Sequence, residues 1–227
     1  MSNNAIIATT EISFELSQMF FKLKTFTMEK GKARVKITLE SIGNGMLMNP
    51  MTQKTLEELQ TGIRGTVDKS ISAEKIAEGR VIKSPEGKIG IPVEYLLGCL
   101  VEAGRSVKNG KKQISTAGTT TIFAFLDFGN QTFLPFKKHS PMVVDRRKGN
   151  LNNAGKSTAV CIIRPKFEKW SIELEAVITT EGDFAAKEDV VKKLFEAAGS
   201  QVGLGDFRPA KRGPFGRFKV AGWEVQN

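Results

Sequence analysis

The order of its elements predicts an α+β fold of the ferredoxin-like (RRM-like) type, an antiparallel sheet with two helices on one face. Two observations carry this expectation. Strand-like segments with period-2 alternation flank two stretches with helical apolar stripes, residues 91–107 and 187–198. The order strand, helix, strand pair, strand pair, helix, strand then splits into two strand-helix-strand halves, with an insertion and a basic loop or hairpin added to them. At 227 residues and 40% hydrophobic content the chain suits a single elaborated domain, 1–227, with a proper core.

Taken in order, Ile12 to Phe21 fits either a short strand or a short helix. Ala33 to Glu40 places Val35, Ile37 and Leu39 on one face and Arg34, Lys36, Thr38 and Glu40 on the other, a strand with a wet, partly basic side. Residues 43–90 change character, first Met-rich and then polar. Leu56, Leu59 and Ile63 there stand at helical spacing and Ile71 to Ala77 forms a second short helical stretch, so the segment reads as an insertion. Ile91-Pro92 opens a helix whose stripe is Val93, Leu96, Leu97, Leu100, Val101 and Val107, closed by Lys108-Asn109-Gly110. Thr119 to Phe128, apolar on both faces, predicts a central strand, and Gln131 to Phe136 its partner across the Gly129-Asn130 turn. Residues 137–156 are polar, basic and rich in Gly and Asn, long enough for a functional loop or hairpin. Ser157 to Arg164 is a strand stopped by Pro165, and Trp170 to Ile178 another. Lys187 to Ala198 is an amphipathic helix with Gly199 placed as its left-handed cap, and the chain ends in a strand through Val225.

The net charge is +10, and it is clustered. Lys22 to Lys36 holds six cations against Glu29; Lys137 to Lys169 holds nine against Asp145 and Glu168; Arg208 to Lys219 holds five with no acid. An acidic to neutral body with three basic strips is the electrostatic footprint of a protein that tracks a polyanion.

Other chemistries find no support in the composition. One His and two distant cysteines give no zinc signature, so no metal or cofactor is expected. A Ser/His hydrolase would need His139, which sits in a basic loop, and there is no phosphate-binding G-x-x-x-x-G-K-[ST]. Cys99 and Cys161 each lie in an apolar run and read as core residues of a reducing compartment. The longest apolar run, Ile122 to Phe128, is far below a membrane span, and the first 20 residues lack a signal-peptide pattern, so a soluble intracellular protein with no membrane partner is expected.

Residues 199–216 form a glycine-rich loop, the most specific feature of the chain. Gly203 and Gly205 let the backbone approach a ligand; Arg208, Lys211, Arg212 and Arg217 offer charge to phosphates; Phe207 and Phe215 offer faces to bases. The plainer alternative is that these glycines only shape a turn before the last strand. Asp206 most simply pairs with Arg208 or caps the turn, and Trp170 and Trp223 read first as core or edge anchors.

A basic, aromatic, glycine-rich loop after a late helix, ending in Gly216-Arg217-Phe218, resembles the glycine-rich loop of the RAMP superfamily, the repeat-associated proteins of CRISPR systems. The helix entered from Ile91-Pro92 and running to Arg105 is similar to a segment of the CRISPR backbone subunits that coat guide RNA. A nearer resemblance is to a phage- and prophage-encoded family. It is carried by Leu47-Met48, Ile91-Pro92, Arg164-Pro165-Lys166-Phe167-Glu168-Lys169-Trp170, Gly203 to Pro209 and Gly216-Arg217-Phe218, over about residues 33 to 225. Family members often have His after Leu-Met where this chain has Asn49, which removes support for a catalytic role there.

The superfamily resemblance implies a ferredoxin-like palm, an insertion (43–90), a thumb hairpin (137–156, Phe136 at its base) and head-to-tail multimers along a single strand. The expected function is non-enzymatic binding of single-stranded RNA or DNA as a homo-oligomer or filament, alone or with other subunits of a ribonucleoprotein. The expected place is the cytoplasm of a bacterial cell. The binding residues would be Arg34, Lys36, Lys137, Lys138, Arg146, Arg147, Lys148, Arg164 and Lys166 together with the loop residues named above. Two alternatives stay open: a RAMP-type endoribonuclease using His139 or Asp145, and a phage-encoded interaction or counter-defence subunit.

Overall fold

The computed structural model describes residues 30–50, 53–62, 70–153 and 156–226. Ile12 to Phe21 and Ile63 lie outside them, as does the part of the first basic strip before Lys30. In chain order the strands are β1 Lys32–Ser41, β2 Met46–Leu47, β3 Gly90–Pro92, β4 Lys108–Asn109, β5 Lys112–Gln113, β6 Leu126–Asp127, β7 Phe133–His139, β8 Met142–Asn153, β9 Lys156–Phe167, β10 Trp170–Thr179 and β11 Phe218–Gln226. The helices are α1 Gln53–Thr61, α2 Ala73–Glu78, α3 Val93–Ala103, α4 Ile122–Phe125 and α5 Glu188–Ala197.

The main sheet runs β11-β1-β10-β7-β3, antiparallel throughout, with β6 pairing the far end of β10. Removing the short strands leaves β1-α3-β7-β10-α5-β11 in the spatial order fourth, first, third, second, the ferredoxin-like arrangement. The alternation in β1 explains its central place. Val35, Ile37 and Leu39 are fully buried, and face Ala176, Leu174 and Ile172 of β10. Burying each such side chain stabilises the fold by about 2 kcal/mol. Leu96, Cys99 and Leu100 of α3 and Val191, Leu194 and Phe195 of α5 close the same core, so both helices cover one sheet face.

A second sheet, β2-β9-β8, joins the hairpin β8–β9, inserted between β7 and β10, to the short strand β2 that follows β1. Its body is a hairpin of two twelve-residue strands, from Met142↔Phe167 to Asn153↔Lys156. Of the expected 137–156 segment, Met142–Asn153 is thus the rising half of a longer hairpin while Lys137, Lys138 and His139 end β7 of the main sheet, and Pro165 does not stop the falling half. The Pro165 carbonyl points away from β8 and accepts the Met48 N–H at 3.0 Å, so the missing proline N–H falls beside short β2 and leaves the β8–β9 ladder intact.

Four other expectations change. Ile91-Pro92 belongs to β3, and α3 begins at Val93 and ends at Ala103 with Gly104 as its cap; Val107 lies outside it, and Lys108-Asn109-Gly110 builds the β4–β5 hairpin. Thr119 to Phe128 is not a central strand. Ile122, Phe125 and Leu126 are buried at helical spacing while Phe123 is 62% exposed, which gives the short helix α4 and then β6. The first part of the expected 43–90 insertion belongs to the palm-hairpin junction, since Met46, Leu47 and Met48 are buried there. Gly199 is not a left-handed cap; the helix runs on into a π-type turn, Ala198–Val202, and Gly203 takes the positive φ of 77°.

Candidate nucleic-acid interface

The glycine-rich loop is wedged between the β1–β2 connection and the hairpin. Asp206 N–H donates to Leu47 O (2.8 Å), Gly216 N–H to Gly45 O (2.6 Å) and Ile42 N–H to Arg217 O (3.0 Å). Gly216, at φ 75°, meets the Leu204 carbonyl so closely that a Cβ has no room. Phe207 (φ 49°) and Arg212 (φ 59°) hold left-handed conformations that are uncommon outside glycine, a mark of a loop over-determined by its surroundings.

Side chains fix the loop to the hairpin at two points. Asp206 pairs with Arg164 Nε at 2.8 Å, accepts the Asn49 amide at 3.1 Å and caps its own turn through Phe207 N–H at 2.8 Å. Its partner is therefore Arg164; Arg208 instead reaches Glu102 (3.7 Å) and Gly205 O (3.2 Å). Arg80 joins this cluster and donates to Ile163 O. Burial pulls its guanidinium below the usual range, repulsion from Arg164 adds to this, and Asp206 opposes it. The second point is Arg147. Its guanidinium lies 4.6 Å from the Phe215 ring centre and 5.8 Å from that of Phe207, and Nε sits 2.9 Å from both Asp145 carboxylate oxygens. Both Nη groups have no acceptor among the described residues, so the fork is pre-oriented and its outer donors are open.

A groove of about 540 Å³ lies in front of Arg147, lined also by Gly43, Asn44, Lys166, Glu168, Lys169, Pro214 and Phe215. A second, of about 740 Å³, shares Gly43 and Lys169 with it and continues past Lys138, His139 and Ser140 to Lys219. Lys166 is tied to Glu168 (2.7 Å) and Lys219 to Glu40 (3.2 Å). Lys138 and Lys169, and the exposed loop cations Lys211, Arg212 and Arg217, have no carboxylate within ion-pair distance among the described residues. Arg147, Lys166, Lys169, Lys138 and Lys219 thus line the two adjoining grooves, with Glu168 and Glu40 among them, while Lys211, Arg212 and Arg217 line neither.

The remaining predicted site residues take other places. Arg34 and Lys36 lie on the open sheet face opposite the helices, against Glu175 (4.0 Å) and Glu173 (3.8 Å), and Lys137 also pairs with Glu173. That face carries Glu40, Glu173, Glu175 and Glu224 and, among the described residues, no exposed aromatic ring on which a base could stack. Arg146 and Lys148 alternate to the other side of β8 from Arg147, and Arg146 is held by Glu74 of α2 (2.8 Å). Arg164 is 8% exposed and serves as the loop's anchor. Phe215, 3% exposed under Arg147, has no face left for a base, and the half-buried Phe207 ring packs 6.2 Å from it. Gly203 and Gly205 shape the loop: a Cβ at Gly203 would crowd Pro209, and one at Gly205 the Leu47 carbonyl.

Sequence reasoning missed Tyr95 and Arg80; a further basic cluster, Arg105, Lys108, Lys111 and Lys112, shown by an acid-free window from 104 to 126, lines none of these grooves. Cys161 is an exposed hairpin residue rather than a core one, while Cys99 is buried and burial pushes its thiol up to about 12. Trp170 is a core residue stacked on Phe136 (5.8 Å), and half-buried Trp223 anchors Glu188 (2.7 Å). His139 packs edge-on against Phe167 and touches Ser140 O; Asp145 is engaged by Arg147. No group of three His, Cys, Asp or Glu that would hold a metal occurs among the described residues, nor does any helix long and apolar enough to cross a membrane.

Fold and surface define a ferredoxin-like α+β protein with an inserted long basic hairpin clasped by a glycine-rich loop. No family model matches the chain, and no curated protein matches it. Among solved structures it is similar to a chain from the type III-B Cmr-beta complex bound to cognate target RNA, at 13% identity and a TM-score of 0.49. The match covers 93% of this chain but 66% of the other, so this chain spans just under two thirds of that chain's length.

Proposed function

We propose that the protein is a non-enzymatic binder of single-stranded nucleic acid, its hairpin and glycine-rich loop acting as the thumb and clasp of a RAMP-like palm. The observation that carries this reading is Arg147, locked by Asp145 and Phe215 with its outer donors open, at the head of a groove that runs past Lys169 to Lys138. Phosphates bound along this track release counterions, which supplies affinity without sequence readout. In this reading repeated copies line one strand, in a phage-encoded or CRISPR-like ribonucleoprotein. A gel-shift titration with 20-nucleotide single-stranded RNA and DNA tests the reading. The wild type shifts at least one of them, and the triple change Arg147→Ala, Lys169→Ala, Lys138→Ala weakens binding at least tenfold. Equal affinity of the two proteins, or no shift at low salt, refutes it.

A further inference from the structure

A separate cleft of about 400 Å³ opens between α3 and the other end of the glycine-rich loop. Its walls include apolar Met46, Met48, Ile82, Ile91 and Leu204. At its rim stand Tyr95, 41% exposed, and Asn49, together with Glu94, Asp206 and Arg208. Three polar groups there are unengaged. The Tyr95 hydroxyl and the Asn49 amide oxygen have no hydrogen bond among the described residues, and Arg208 Nε is buried without an acceptor. The volume is at the small end for ligand pockets, and an apolar lining with a few convergent polar groups is what such pockets show. Asp206 there is already paired with Arg164 and Glu94 has no ion pair among the described residues, so the mostly apolar cleft suits a neutral, partly polar group rather than a phosphate.

Gly98 makes the case specific. It lies in the middle of α3, lines this cleft and is exposed, and a Cβ there would meet nothing within 4 Å. Glycine in a helix interior is about 1 kcal/mol worse than alanine. No backbone or packing contact at this position calls for it, and what its missing side chain leaves is open space in the cleft.

We infer that this cleft receives one unstacked nucleobase of the bound strand, with Tyr95 as the stacking ring and Asn49 and Arg208 at its polar edge. The inference rests on the nucleic-acid reading above and deepens it. Phe215 is covered by Arg147, and of the exposed Phe and Tyr rings among the described residues, Phe123, Phe184 and Tyr95, the one that lines the cleft is Tyr95. The loop joins the two sites, since Pro214 and Phe215 line the groove while Gly203 to Asp206 line the cleft. Base stacking on an aromatic ring is sequence-tolerant, so the cleft adds affinity without demanding one base.

Gly98→Leu tests it, because leucine fills the cleft from the helix and is also a better helix former, so the variant folds. Two probes are used: a 20-nucleotide single strand that the wild type shifts, and an abasic strand of the same length and charge. The expected result is that the wild type binds the base-containing strand about 5- to 30-fold more tightly than the abasic one. Gly98→Leu and Tyr95→Ala lose most of that preference and keep the wild-type salt dependence. If the wild type binds both strands equally, or if both variants keep the preference, the base site is refuted while the groove stands. If the wild type binds neither strand, the functional reading itself fails, and this inference with it.

Discussion

Asp206 is the residue through which the glycine-rich loop is fastened, and Asp206→Asn isolates its charge. The substitution keeps the shape and keeps an oxygen to accept the Phe207 N–H, now 2.8 Å away. It removes the ion pair with Arg164, which is only 8% exposed and has Arg80 beside it. Unit charges about 4 Å apart attract by about 4 kcal/mol at an effective dielectric of about 20. The Asp206 side chain is 31% exposed, which screens part of this, and the Arg164 Nε contact is an ion pair without the alignment of a hydrogen bond. The expected loss is therefore about 2–3 kcal/mol. With a urea m-value of about 2 kcal/mol/M, the unfolding midpoint falls by about 1–1.5 M. In an Arg164→Met background the same change costs under about 1 kcal/mol, since the buried cation that needed it is gone. A midpoint shift below about 0.3 M, or the same loss in both backgrounds, refutes the anchoring argument.

Three further outcomes follow from single sites. Lys137 hydrogen-bonds Glu173 and, with Lys36, holds its carboxyl below the usual carboxylate range. A lowered folded-state pKa contributes stability above the ordinary value near 4.5 that is lost as pH falls through the folded value. The thermal midpoint of wild type thus exceeds that of Glu173→Gln at pH 6, and the gap narrows as pH falls below the ordinary value near 4.5. Gly216→Ala forces a side chain into a left-handed residue facing the Leu204 carbonyl; the conformation alone costs roughly 1–2 kcal/mol and the contact more, read as a lower urea midpoint. A thiol reagent at pH 8 titrates one cysteine per native chain, Cys161, and two in guanidinium, because Cys99 is buried and kept protonated to about 12.

Much of the palm was legible because its elements bury one face and wet the other. β1, β10 and α5 announce themselves by period alone, and their order implies the sheet. What was hidden shares one physical cause: local pattern is silent where tertiary contacts decide. The run Ile122 to Phe128 is apolar enough for either state, and only the burial of Ile122 and Phe125 against exposed Phe123 separates helix from strand. Pro165 looked like a terminator because its missing donor is costly in a paired strand, yet here it faces an edge only two residues long. At the site, composition found Arg147 and Phe215 but not that one covers the other. It likewise counted Arg34, Lys36 and Lys137 as free charge, while Glu173 and Glu175 lie across the sheet from them. Tyr95 and Gly98 gave no local signal, since a cleft is formed by segments distant in sequence.

The central claim is that the groove cations between Arg147 and Lys138, and not the protein's overall basicity, hold the strand. It is tested most directly by the salt dependence of single-strand binding in three proteins of controlled charge. Each neutralised phosphate contact contributes about −0.7 to the slope of log affinity against log salt. About five contacts in the wild type predict a slope of roughly −3.5. Replacing Arg147, Lys138 and Lys169 by Gln should bring it to about −1.5, while replacing Lys108, Lys111 and Lys112 by Gln, the same loss of charge on the β4–β5 hairpin, should leave it unchanged. Equal slopes for the two triple variants, or a larger change in the second, would contradict the account.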